Sequence, residues 1–156
     1  MTEMPALARA AVRETEDFHA FLRDWLVGAL PRTPVAFARM SGVMAPDLRV
    51  ISPLGTTTEL PALLTEFEGL HGALADRAGV FAITVEAPAH VHTVGDCTLV
   101  TYEEHHRLAG DRSARLATVL YRAREGTPNG VEWLHVHETW LPGLAPAGGE
   151  RFPEAR

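Results

Sequence analysis

The sequence predicts an α+β fold, with three N-terminal helices packed on a strongly curved, mainly antiparallel sheet. Three observations carry this. Apolar residues recur at helical spacing early in the chain, the period shortens to two from Val80 onward, and turn sequences cut that later part into four long strands.

Pro5 suits the first turn of a helix, and Ala6 to Val12 is a run of good helix formers. Phe18, Phe21, Leu22, Trp25, Leu26 and Ala29 then make one apolar stripe, which Pro31 and Pro34 end. Thr33-Pro34 offers an N-cap and a proline for a short second helix through about Met40. Asp47 to Ser52 reads as a short strand closed by Pro53 and Gly55. A third helix over 59–71 buries Leu60, Leu63, Leu64 and Phe67, with Thr58 as cap and Gly72 as stop. The strands fall at about 80–94, 97–108, 112–125 and 131–141, with turns at Gly95-Asp96, Ala109-Gly110-Asp111 and Thr127-Pro128-Asn129-Gly130. Residues 1–142 form one domain, and 143–156 read as a flexible Pro/Gly/Ala tail.

With 156 residues, 46% of them hydrophobic, the chain has enough apolar surface for a core without disulfides. A net charge of −6 argues against nucleic-acid or anionic-membrane partners. Cys97 is the one cysteine, and the N-terminus has no cationic start followed by an apolar run. No apolar stretch approaches the ~20 residues that cross a bilayer, so the expectation is a cytoplasmic protein.

Strand alternation assigns faces. A two-residue turn at Gly95-Asp96 places Val85, Ala87, Ala89 and Val91 beside Val100, Tyr102, Glu104 and His106, with Phe81 and Ile83 extending this apolar face. The other face carries Glu86, His90, His92, Leu99, Thr101, Glu103 and His105. A three-residue turn at 109–111 adds Leu116, Thr118 and Leu120 to the first face, and the same parity adds Leu134, Val136, Glu138 and Trp140. Tyr121, Trp133, His135 and His137 then fall on the opposite face, a mixture of aromatics and histidines suited to a second subunit. Tyr102, Glu104, His106 and Glu138 are unusual on a core face, because a buried carboxylate needs a partner or a wet cavity. They either lie at the sheet's frayed ends, or pair with each other and with Arg107 or Arg122, or line a pocket in which burial raises a carboxyl pKa toward proton-transfer duty.

Two segments resemble a known superfamily. His90-Val-His-Thr-Val-Gly-Asp96 with Cys97-Thr-Leu-Val-Thr-Tyr102 is similar to a strand region of the calcium/calmodulin-dependent protein kinase II association domain. Val131-Glu-Trp-Leu-His-Val-His-Glu-Thr139 resembles the last strand of that domain and of SnoaL-like proteins. Both belong to the nuclear transport factor 2-like superfamily. The resemblance implies a cone-shaped, cystatin-like fold with an internal pocket and a dimer made through the sheets. In the association domain arginines project into the pocket, and the matching positions here are Glu104, Thr118 and Glu138. That exchange favours a neutral or cationic ligand.

The histidines invite a metal reading, since six of eight lie between His90 and His137. However, the His90/His92 and His135/His137 pairs lie three strand spacings apart, roughly 14 Å, too far for one ion. Glu86 opposite His105 suggests a cross-strand pair instead. Cys97 reads as a packed thiol, and GxSxG and GxGxxG signatures are missing. No metal or other cofactor is expected.

The sequence therefore points to a homodimer that binds a small, largely apolar molecule between sheet and helices. Glu104 and Glu138 are the candidate acid-base residues, for isomerase, cyclase or hydratase chemistry. Tyr102 is a candidate oxyanion donor, Tyr102, His106, Thr118, Trp140 and Trp25 candidate ligand contacts, and Tyr121, Trp133, His135 and His137 the subunit contact. A non-enzymatic oligomerisation module is the alternative.

Overall fold

The computed structural model of the chain describes residues 3–146. Helix α1 (Ala6–Leu26) buries the stripe from Phe18 to Leu26 that the spacing predicts. It stops where Gly28 takes φ +72°, a conformation that a side chain resists, and passes close to Gly72. Backbone bonds from Gly72 N to the Trp25 carbonyl and Leu74 N to the Leu26 carbonyl join the two segments at 3.0 and 2.8 Å. Helix α2 (Pro34–Ser41) starts as expected, with Thr33 Oγ1 accepting from Ala36 N at 3.2 Å.

Strand β1 (Met44–Ile51) is followed by β2 (Thr57–Glu59), helix α3 (Leu60–Gly69), a 3₁₀ turn over Ala75–Arg77, and strands β3 (Phe81–Val94), β4 (Cys97–Leu108), β5 (Asp111–Ala123) and β6 (Val131–Trp140). The six strands form one mixed sheet in the order β2-β1-β6-β5-β4-β3, with β1 parallel to β6 and the other neighbours antiparallel. Strand β2 lies outside the sequence reading, and Thr58 belongs to it rather than capping α3. Glu59 precedes that helix, with no side-chain cap.

The α+β fold stands, but three local features re-aim side chains. Leu108 pairs with Asp111, so the β4–β5 turn has two residues rather than three. A one-residue slip moves a whole strand to the opposite face. Ala117, Arg115 and Ser113 therefore stand beside Tyr102, Glu104 and His106, whereas Leu116, Thr118 and Leu120 face away. Register shifts in β3 flank Ala87-Pro88 and Val91, with Ala87 at φ +49°. They seat His90 beside Val100 and His92 beside Leu99, so the two rings do not share a face. A shift between Leu120 and Tyr121 pairs Tyr121 with Trp133.

Tyr121 and Trp133 consequently belong to the core and not to an exposed subunit face. Tyr121 hydroxyl lies 2.6 Å from Thr15 Oγ1, and Trp133 Nε1 donates to Glu14 Oε1 at 3.1 Å, both on α1. Glu14 is fully buried and also receives two bonds from Arg39 of α2, at 3.0 and 2.9 Å, and one from Asn129 Nδ2 at 2.9 Å. One carboxylate thus ties α1, α2 and the β5–β6 hairpin together through charge-assisted bonds.

Ala114 N donates to the Leu144 carbonyl at 3.0 Å, which holds the chain on β5 beyond the end of β6. Of the tail expected over 143–156, residues 147–156 lie outside the described residues. Among the described residues no helix is long and apolar enough to cross a membrane.

Candidate functional site

Helix α1 and strands β4, β5 and β6 bring five titratable groups together. Glu104 Oε1 accepts from His106 Nε2 at 2.5 Å and Arg115 Nη2 at 2.8 Å, while Oε2 faces His19 Nε2 at 3.1 Å. Arg115 Nη1 reaches Glu138 Oε2 at 3.2 Å, and its guanidinium carbon lies 5.9 Å from the Trp140 ring centroid. The guanidinium therefore bridges two carboxyl groups and borders an indole.

The environments of the two carboxyls diverge. Burial alone would raise Glu104, but Arg115, His19 and His106 together hold it well below the usual carboxylate range. Among the described residues Glu138 has only Arg115 beside it as a cation in contact, and burial, reinforced by the Glu104 charge, pushes it up to about 7. Burial also lowers His106, leaving it a neutral donor to Glu104. His19 behaves oppositely. Burial opposes its charge, yet the Glu104 carboxylate raises it above the ordinary histidine value. Its Nδ1 faces the Thr15 carbonyl at 2.7 Å and its Nε2 faces Glu104, so both ring nitrogens have acceptors, as an imidazolium requires. Burial lifts Tyr102 well above the ordinary tyrosine value.

A cavity of about 110 Å³ opens beside this cluster. The β1–β2 hairpin supplies Val50, Ser52, Pro53, Leu54 and Thr58, α3 supplies Glu66 and Phe67, and the sheet supplies Arg115, Glu138 and Trp140. The hairpin loop is shaped by Ser52 Oγ, which accepts from Leu54 N at 3.3 Å and Thr56 N at 3.2 Å, and by Gly55 at φ +77°. Two buried donors of wall residues, Arg115 Nε and Trp140 Nε1, have no acceptor among the described residues.

The structure thus places two of the sequence-derived candidates, Glu138 and Trp140, on the cavity wall. Glu104, His106 and Tyr102 share the inner face but do not line the cavity, and Glu104 has three donors on its two oxygens. Thr118 lies on the opposite face because of the β4–β5 register. Trp25 is core: its Nε1 donates to the Phe67 carbonyl at 2.8 Å, and its ring packs against Phe21, Phe37 and His71. Sequence reasoning missed Arg115, hidden by the same register, and the hairpin wall. Gly55 followed by Thr56, Thr57 and Thr58 was the available strand signal.

On the outer face Glu86, Glu103 and His105 bring ligand-type atoms within 4.8 Å of one another. His105 Nε2 lies 3.6 Å from Glu86, the expected cross-strand neighbour, although Glu86 is registered with Glu103. Arg112 Nη2 is 2.9 Å from His105 Nδ1 and can only donate, so the proton sits on Nε2, bonded to Glu103 at 2.8 Å. With both nitrogens committed, the imidazole has no lone pair for a cation. Cys97 is raised by burial and by its Asp96 neighbour, as suits an inert thiol.

The family model for the sucrose-6-phosphate phosphohydrolase C-terminal domain matches residues 11–142. Sucrose-phosphatase 2 of Nicotiana tabacum is 29% identical over 134 residues, which are 85% of this chain and 31% of that protein. The chain therefore spans about a third of the length of the curated relatives it matches. Among solved structures, an NTF-2 like protein of unknown function from Pseudomonas aeruginosa is 26% identical, with a TM-score of 0.73 over 85% of this chain and 98% of that one. The CaMKII hub of S. rosetta shares the fold at 17% identity, with a TM-score of 0.58 over 90% of this chain and 100% of the other. The nuclear transport factor 2-like fold expected from the sequence is thereby established.

Proposed function

The chain belongs to the sucrose-6-phosphate phosphohydrolase C-terminal family, and on that premise we propose that it binds a small molecule in the cavity between the β1–β2 hairpin, α3 and the sheet, with Glu138 exchanging a proton there. The observation that carries this reading is Glu138 itself: a carboxyl on the cavity wall, pushed up to about 7, with Arg115 3.2 Å away. Near neutrality such a group is divided between acid and carboxylate, so it can both give and take a proton. Arg115, 3.2 Å away, stabilises the ionised form of Glu138 once its proton has passed to the ligand. Glu104, the other candidate base, acts instead as the anchor that fixes Arg115, His19 and His106. Proton transfer at Glu138 suits isomerase, cyclase or hydratase chemistry on a bound molecule.

Native mass spectrometry of gently purified protein tests the reading. Its expected result is a retained small-molecule mass that Glu138→Gln reduces or removes. A retained mass unaffected by both Glu138→Gln and Trp140→Ala places the ligand elsewhere and overturns the assignment.

A second reading is self-association through the outer sheet face. Half-buried Leu99, Leu116 and Leu120 lie on that face with His135 and His137, and the CaMKII hub has the same fold. These leucines replace Tyr121 and Trp133 as the apolar part of the contact. Light scattering on Leu120→Glu decides it: a smaller assembly supports the interface, and an unchanged mass removes it.

A further inference from the structure

We infer that this cavity takes an uncharged, hydroxyl-rich ring about the size of one sugar unit and discriminates against phosphorylated ligands. The inference rests on the cavity reading above and adds the ligand's chemical class.

Charge is the first argument. Among the described residues the wall holds one cation, Arg115, and two of its three nitrogens are committed: Nη2 to Glu104 at 2.8 Å and Nη1 to Glu138 at 3.2 Å. The third, Nε, is buried and has no acceptor among the described residues, so it offers a single N–H and not a fork for a phosphate. Glu66 adds another carboxyl to the wall. An approaching phosphate therefore meets carboxyl groups around a guanidinium whose two Nη groups are already paired, an arrangement that disfavours a further anion.

Wall chemistry is the second. Phe67 and Trp140 offer flat apolar surface, whereas Ser52, Thr58 and Glu138 offer hydroxyl and carboxyl oxygens. Ser52 Oγ already accepts two backbone N–H bonds, so its remaining capacity includes the hydroxyl proton as a donor. Glu138 makes one ion-pair contact among the described residues and keeps an oxygen to accept a ligand O–H. Apolar surface interleaved with such groups fits a molecule with C–H faces and O–H edges. A hydrocarbon of the same size leaves Ser52 and Glu138 desolvated without partners, which costs affinity.

Size is the third. A volume of about 110 Å³ equals roughly three or four waters at ~30 Å³ each. That admits part of one ring through the open side and leaves the second ring of a disaccharide outside.

Saturation-transfer NMR and competition titrations, with glucose, fructose, sucrose, glucose 6-phosphate, inorganic phosphate and indole as probes, test the inference. Circular dichroism confirms that each variant is folded. We expect glucose or fructose to bind, glucose 6-phosphate to bind about tenfold more weakly than glucose, and Trp140→Ala to abolish sugar binding. Glu138→Gln should narrow the gap between glucose and glucose 6-phosphate, because it frees one side of Arg115. Tighter binding of the phosphate ester than of its uncharged parent overturns the inference. Indole binding at Trp140 without sugar binding also overturns it, and leaves the cavity reading intact. If every probe fails to bind, both fall.

Discussion

Arg115 Nη1 stands 3.2 Å from Glu138 Oε2, diagonally across the β5–β6 ladder, while Nη2 of the same guanidinium holds Glu104 at 2.8 Å. One cation is thus divided between two carboxyls. The better-supplied one, Glu104, with two histidines in addition, keeps its charge, and the other approaches neutrality near pH 7. This division separates an anchor from a proton-exchanging group within one buried cluster.

Glu138 should make the fold lose stability as pH rises. Its folded-state pKa of about 7 exceeds the unfolded value of 4.5. The protonated form's contribution is complete below about pH 4.5 and lost as pH climbs to 7. The 2.5-unit difference corresponds to ~3 kcal/mol. Glu138→Gln removes the ionisable group, so its stability relative to wild type should match at pH 4 and exceed it by up to ~3 kcal/mol at pH 8. Urea denaturation at both pH values measures this. A difference that does not grow with pH would contradict the raised proton affinity of Glu138.

His19 and His106 touch the same carboxylate yet should titrate in opposite directions. His19 is raised, so its contribution to stability is complete below its unfolded value of 6.5 and fades as pH rises through the higher folded value. His106 is lowered by burial, so its neutral form's contribution is present above 6.5 and lost as pH falls through its folded value. Nitrogen-resolved NMR titration should find His19 doubly protonated above pH 6.5 and His106 neutral below it. His19→Gln should cost ~1.5–3 kcal/mol at pH 6 and less at pH 9, since a bond to a charged partner is lost.

The buried Glu14 gives a prediction independent of the cavity. Glu14→Leu leaves the Trp133 indole N–H without its acceptor and Arg39 without its bidentate partner. Breaking a buried pair costs ~3–5 kcal/mol, and here the lower end applies because Arg39 is partly exposed. Adding Arg39→Leu should recover part of the loss, since no unpaired charge then remains. Chemical denaturation of the two single variants and the double variant completes the cycle. Additive losses would mean that the pair is not coupled.

Most of the architecture was legible because the apolar stripe from Phe18 to Leu26 and the alternation after Val80 are strong periodic signals. The site was less legible because side-chain direction depends on parity, and parity turned on single residues. A two-residue rather than three-residue turn after Leu108 moved Thr118 out and Arg115 in. Ala87-Pro88, with its positive φ at Ala87, made a bulge that no composition rule marks, and the shift opposite Tyr121 drew Trp133 into the core. Glu138 and Trp140 kept their predicted face because two displacements cancelled: the turn shifted β5 by one residue, and the register irregularity between β5 and β6 shifted β6 back. The hairpin that walls the cavity was missed for a different reason, since a three-residue edge strand is too short for a periodic signal.

Arg115 should be the most damaging single position in the cluster, and its effect should depend on pH. Arg115→Met leaves Glu138 without its cation and Glu104 with only the two histidines, so both buried carboxyls become costly to ionise. Loss of one partner from a buried pair is worth ~3–5 kcal/mol. Lowering the pH should reduce the penalty, because both groups can then take up protons and enter the core neutral. We expect a large destabilisation at pH 8 that shrinks at pH 5, read from denaturant midpoints at each pH. Arg115→Lys should fall between the variant and wild type: it restores the charge, but a single ammonium lacks the planar fork that spans Glu104 and Glu138 together. A pH-independent loss would mean that Arg115 contributes through its packing against Trp140 rather than through the two carboxyls.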